Sequence, residues 1–237
     1  MQLLYPFARR FIAGPDLKTA IPSIHKISES GYFSSIDILG ESVTTRKQAE
    51  EAKIDYLKLF ESLDSIHHSF DFSIKLSQLG LDIDREFCLE NLMQLAQALG
   101  NHTIRLDMED SARTQSTLDI CLEAHRTHPY IGQAIQAYLY RSGDDVRHCI
   151  ENKISLRLCK GAYKESPDVA YQAMDKIRKN FLKLACQLLK EGHQPAIATH
   201  DESLLVKILD FIAHENISPK SFYFEMLYGV RRDLQKI

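Results

Sequence analysis

The chain lacks most of the features that would place it in several common classes. Its five cysteines, at 88, 121, 149, 159 and 186, form no CxxC pair. An odd, scattered set offers no disulfide framework and reads as reduced thiols in an intracellular chain. There is no HxH or HExxH, and His200 has no second histidine at ligand spacing, so no metal is expected. No apolar run reaches the ~20 residues that span a bilayer. The N-terminus places a short apolar stretch ahead of Arg9 and Arg10, the reverse of the order in a signal peptide. The net charge is −3, with 29 Lys and Arg against 32 Asp and Glu. That balance gives no electrostatic case for nucleic acid as a partner. No linker or low-complexity stretch interrupts the chain, so one domain over 1–237 is expected. A cytoplasmic protein is the expectation, with at most a peripheral visit to the inner face of a membrane.

What is present is an alternation of two periodicities. A hydrophobic fraction of 44% with 26% charged residues suits a soluble domain able to bury a core. Helices are expected at Asp16–Ser30, Thr45–His67, Asp84–Leu99, Ser111–His128, Gly143–Glu151, from Pro167 to Glu191, and Glu202–Glu215. Thr45 with Gln48 is a capping box, and Pro167 stands where the first residue of its helix would be. Strands are expected at Ser34–Leu39, Phe72–Leu76, Thr103–Met108, Ile131–Tyr138, Ile154–Cys159, Ala196–Thr199 and Phe222–Leu227. Strands alternating with helices imply parallel βαβ units. Without a Gly-rich fingerprint after the first strand, a barrel is favoured over a dinucleotide-binding sheet. The fold class expected is α/β, a (β/α)8 barrel that is incomplete here, with seven strands and the last strand and helix missing.

Active sites of such barrels lie at the C-terminal ends of the strands. The polar residues that fall there are Asp37 and Glu41, then Lys75 and Gln78, Asp107 and Glu109, Gln136, Arg157 with Lys160, Thr199 to Asp201, and Glu225. Charged groups are costly inside a barrel unless paired, so their recurrence favours a polar pocket. Each also has a structural reading: Asp107 paired with Arg105, Arg157 tying neighbouring strands, Lys75 reaching solvent. His67 and His68 are adjacent on a helix and do not share a face. Gly161, lacking a Cβ, would let the backbone approach a flavin or phosphate closely.

These positions carry a resemblance. Arg9 to Gly14, Leu39 to Thr44, Lys75 to Gly80, Arg105 to Glu109, Gln136 to Leu139, Arg157 to Tyr163, Ala198 to His200 and Phe224 to Arg231 stand in the order and type of the proline dehydrogenase family, in its monofunctional bacterial form. The resemblance implies FAD-dependent oxidation of L-proline to Δ1-pyrroline-5-carboxylate, with a quinone-type electron acceptor. It implies that Arg157 hydrogen-bonds near flavin N5 and that Asp107 shapes the catalytic pocket. Met108, Gln136, Lys160, Gly161, Ala162, Thr199 and His200 would contact the FAD. Lys75 would face the substrate carboxylate and Leu227 would pack on the proline ring.

The chain departs from the family pattern in three places. Glu225 stands where Gln is common and Asp201 where Asn is common, each adding negative charge. The family's last strand and helix, with a paired-arginine carboxylate clamp and a tyrosine, have no counterpart after Asp233. The competing expectations are therefore a non-catalytic barrel remnant that binds flavin or a partner, and an unrelated Schiff-base enzyme using Lys75 or Lys160.

Overall fold

The computed structural model describes residues 10–63, 66 and 68–236. Arg9 and His67 lie outside the described residues. The elements are α1 (Leu17–Glu29), β1 (Ser35–Asp37), α2 (Arg46–Leu63), β2 (Asp71–Ile74), a 3-10 turn (Leu76–Leu79), α3 (Arg85–Gln97), β3 (Thr103–Leu106), α4 (Thr114–His125), β4 (Ile131–Gln136), α5 (Ser142–Glu151), β5 (Leu156–Cys159), α6 (Met174–Glu191), β6 (Ala196–Ala198), α7 (Glu202–His214) and β7 (Tyr223–Glu225), with a closing 3-10 turn (Leu234–Lys236). Strand neighbours follow chain order from β1 to β7. This is the topology of a (β/α) barrel with seven strands among the described residues, as the alternation predicts.

The chain divides into two compact units, one up to Ile104 together with Met226 onward, the other Arg105–Glu225. In the first unit β1 and β2 pair in parallel with Ser35 opposite Asp71. The helix starts follow from their caps. Asp16 accepts from the Thr19 N–H at 2.9 Å and Asp84 from the Phe87 N–H at 3.0 Å. Gln48 accepts from the Thr45 N–H at 3.1 Å while Thr45 Oγ1 accepts the Gln48 N–H at 3.3 Å, the reciprocal bonds of a capping box. The core between α2 and β2 stacks Phe60 on Phe72, ring centroids 4.3 Å apart. Tyr56 is fully buried there, its hydroxyl donating to the Ser73 carbonyl at 3.0 Å.

In the second unit β4, β5, β6 and β7 form parallel ladders, with Gln133 opposite Leu156, Arg157 opposite Ala196 and Ala196 opposite Tyr223. Every residue of β4 is buried, as expected of a parallel strand covered on both faces.

The strands end earlier than their hydrophobic patterns suggest. Lys75, Met108, Tyr138, Thr199 and Leu227 all lie in the loops beyond. After β2 the chain tightens at once into the Leu76–Leu79 turn, closed by Gly80 at φ 98°. The larger difference is at Pro167. It does not start α6, which begins at Met174. Pro167 begins a single turn in which the Val169 and Ala170 N–H groups bond the Ser166 carbonyl, at 3.1 Å each. The chain is then drawn off by an antiparallel bridge between Leu139 and Ala170. The Tyr140 N–H bonds Val169 O at 3.0 Å and the Tyr171 N–H bonds Tyr138 O at 2.8 Å, competing successfully with helix formation.

Candidate functional site

The second unit gathers its polar residues at the C-terminal ends of its strands. Arg157 on β5 is the centre. Its Nε and Nη2 each lie 2.8 Å from the two oxygens of Glu225 on β7, and its Nη1 lies 2.8 Å from Asp107 Oδ1 just past β3. The arginine side chain is only 10% exposed. A buried guanidinium is costly to desolvate, and two carboxylates with charge-assisted bonds offset that cost. Arg157 does not tie neighbouring strands, as its structural reading had it: its partners stand at the ends of β3 and β7, each two strands from β5. Arg105, proposed above as a partner of Asp107, is directed at Ser155, whose carbonyl is 3.2 Å from Nη1.

A second cluster surrounds Asp201. Its Oδ2 is 3.1 Å from Lys160 Nζ and 2.7 Å from Arg178 Nε, and Ser203 donates to its Oδ1 at 2.7 Å. Burial opposes the carboxylate's charge, but the bonds from Arg178, Ser203 and Lys160 outweigh it and hold the group well below the usual carboxylate range. The negative charge that sequence comparison places at 201 is therefore absorbed by two cations. The Asp201 N–H is donated to Thr199 Oγ1 at 3.1 Å, which leaves the Thr199 hydroxyl proton for another acceptor. His200 beside it is half-buried, and Met108 is buried.

The loop after β5 is fixed to β4. Gln136 Oε1 accepts the Ala162 N–H at 3.2 Å while its Nε2 donates to Glu109 O at 2.7 Å. Gln136 is buried, and these two bonds serve the backbone of two loops. Gly161 sits at φ 116°, and a Cβ there would come within 2.4 Å of the Tyr138 ring. Tyr138 lines a cavity of about 210 Å³ together with Gly161, Ala162, Tyr163, Tyr171 and Gln172. Its hydroxyl oxygen is sealed from solvent, with the Tyr163 backbone N–H nearby. Burial first, and then the Glu165 carboxylate, push that phenol up to about 12, so it remains a donor.

In the first unit, Lys75 Nζ pairs with Asp37 Oδ2 at 3.2 Å, the lysine half-buried and the aspartate exposed. Leu227 is 69% exposed. Arg231 is turned onto Asp233, with Nη2 2.8 Å from Oδ2.

The family described as Proline dehydrogenase matches residues 20–237. The chain belongs to the proline dehydrogenase family. Proline dehydrogenase 1 of Bacillus subtilis is 33% identical over 231 residues, covering 97% of this chain and 76% of that protein. Proline dehydrogenase of Deinococcus radiodurans is 34% identical over 247 residues, covering 99% of this chain and 78% of that protein. The fold is also that of proline utilization A from Bdellovibrio bacteriovorus inactivated by N-propargylglycine, at a TM-score of 0.88 and 22% identity, over 98% of this chain and 29% of the larger one.

Reading the chain as a proline dehydrogenase from sequence missed three contributors. Arg178 neutralises Asp201 from a helix face that looks merely solvated in sequence. Glu165 accepts from both the Ser111 N–H and hydroxyl at 2.6 Å, anchoring the β5 loop. Tyr138 was visible as part of the Gln136 to Leu139 stretch but was given no role of its own.

Proposed function

We propose that this chain is an oxidoreductase that converts L-proline to Δ1-pyrroline-5-carboxylate, the first step of proline catabolism to glutamate, with FAD held by the second unit. The observation that carries the reading is Arg157, a buried guanidinium fixed by two carboxylates at the strand ends of a proline dehydrogenase-family chain. The residues present fit a flavin. Tyr138 offers a buried hydroxyl beside the cavity, and Gly161 leaves open backbone where any Cβ would collide. When bound, FAD would supply the acceptor for a hydride leaving proline C5.

The chain's own residues then have defined tasks. Arg157 donates toward flavin N5, and Asp107 with Glu225 keeps its plane from turning. Lys160 and His200 supply polar contact, Thr199 its free hydroxyl proton, and Gly161 and Ala162 the close backbone. Met108 gives the site an apolar wall, and Gln136 holds the loop in place. A fixed cation costs no reorganisation as negative charge develops. A quinone-type acceptor would take up the electrons, and a cytoplasmic protein would reach it by a peripheral visit to the membrane. Among the described residues no helix is long and apolar enough to cross one.

The test is the visible spectrum of the purified chain before and after anaerobic proline. A flavin band that bleaches supports the assignment. A band indifferent to proline leaves a flavin-binding protein without this activity, and no band after added FAD refutes the cofactor.

A further inference from the structure

Glu225 and Arg157 are not on neighbouring strands. Arg157 on β5 is paired with Ala196 on β6, and Ala198 on β6 is paired with Glu225 on β7. Side chains at paired parallel positions share a face, and residues two apart return to it. Ala196 and Ala198 therefore lie on the face that the arginine crosses to reach Glu225, and their small side chains leave it room. The contact has the geometry of two parallel bonds at 2.8 Å, the strongest form of arginine–carboxylate pairing. With Glu225 the guanidinium is met by a second carboxylate beside Asp107, in a site largely shielded from water.

We infer that Glu225 is a positioning residue that fixes Arg157 and lowers the tendency of the bound flavin to accept electrons. This rests on the flavin assignment above. A reduced flavin carries more negative charge than an oxidised one. A carboxylate that cancels the nearby cation therefore disfavours the reduced form. Glu225 separates two effects within one side chain: its shape orients the arginine, and its charge offsets it.

The experiment is the flavin reduction equilibrium, measured against a reference dye, and the FAD dissociation constant for the native chain, Glu225→Gln and Glu225→Ala. Gln keeps the shape and an acceptor oxygen. It should still bind FAD while shifting the equilibrium toward reduced flavin by about tenfold or more, roughly 30 mV for a two-electron couple. Ala, which also releases the arginine, should weaken FAD binding as well. Should Gln not fold, Glu225→Met removes the charge at similar length and is expected to give the same shift. A bound flavin whose equilibrium is unmoved by these variants overturns the inference and leaves the flavin assignment standing. Failure of the native chain to bind FAD overturns both.

Discussion

Gln136 Oε1 accepts the Ala162 N–H at 3.2 Å, so the end of β4 sets the course of the loop that follows β5. The same amide donates to Glu109 O at 2.7 Å, and the residue is 2% exposed. Replacing Gln136 by Leu keeps the volume and removes both bonds. A buried hydrogen bond lost in this way costs ~1–3 kcal/mol, and of the two ends Glu109 is buried while Ala162 is exposed. Urea unfolding should show a loss of ~1 kcal/mol or more with an unchanged m-value. A variant as stable as the native chain would mean that water replaces both bonds.

Gly161→Ala meets two obstacles. The backbone is at φ 116°, and the added methyl would sit 2.4 Å from the Tyr138 ring. Strain of this sort costs ~1–3 kcal/mol. The midpoint of thermal unfolding should fall, and FAD binding should weaken because Tyr138 or the loop must move. Native-like melting together with native FAD affinity would contradict the close packing described.

Asp201 makes stability depend on acid pH in a defined direction. Its carboxyl is lowered from 3.8 because Arg178, Ser203 and Lys160 together outweigh burial. The unfolded chain therefore binds this proton first as pH falls. The contribution is fully present above about pH 4, where the unfolded group is ionised, and is lost as pH drops through the lower folded value. Unfolding free energies of native and Asp201→Asn chains, compared from pH 3 to 7, should converge toward the acid end. A constant difference across that range would argue against the charge pairing.

The buried thiols should be inert. Burial, and secondarily Asp107, push Cys159 up to about 12, and burial with Asp145 does the same for Cys149. Alkylation needs the thiolate. At pH 8 iodoacetamide should label Cys149 and Cys159 slowly in the folded chain and quickly in urea, read by peptide mass analysis. Rapid labelling of either before unfolding would show that its surroundings open.

The order of elements was legible because each helix and strand carries its own period and its own cap. Asp16, Asp84 and the Thr45–Gln48 box start helices in the structure where they do in the sequence. Arg157 and Asp107 were legible as charges in apolar strand surroundings, which demand partners. Glu225 was read as an extra charge near a flavin, and only geometry identifies it as the arginine's partner from two strands away. Pro167 misled because its fixed φ suits both a helix start and a tight turn. Backbone bonds to Tyr138 and Tyr140, distant in sequence, decide between them. Arg178 was hidden for the complementary reason, since its Asp201 partner comes from the next βα unit.

The chain from Lys160 to Ala173 is held at three places: Ala162 by Gln136, Glu165 by Ser111, and Val169 to Tyr171 by Tyr138 to Tyr140. Were it slack, an incoming molecule would have to order it, at ~1–2 kcal/mol for each residue stilled. Those tethers place that ordering within the folding of the chain itself. Association with a ligand then becomes an act of filling a shape already drawn, and the free energy of contact remains available for grip.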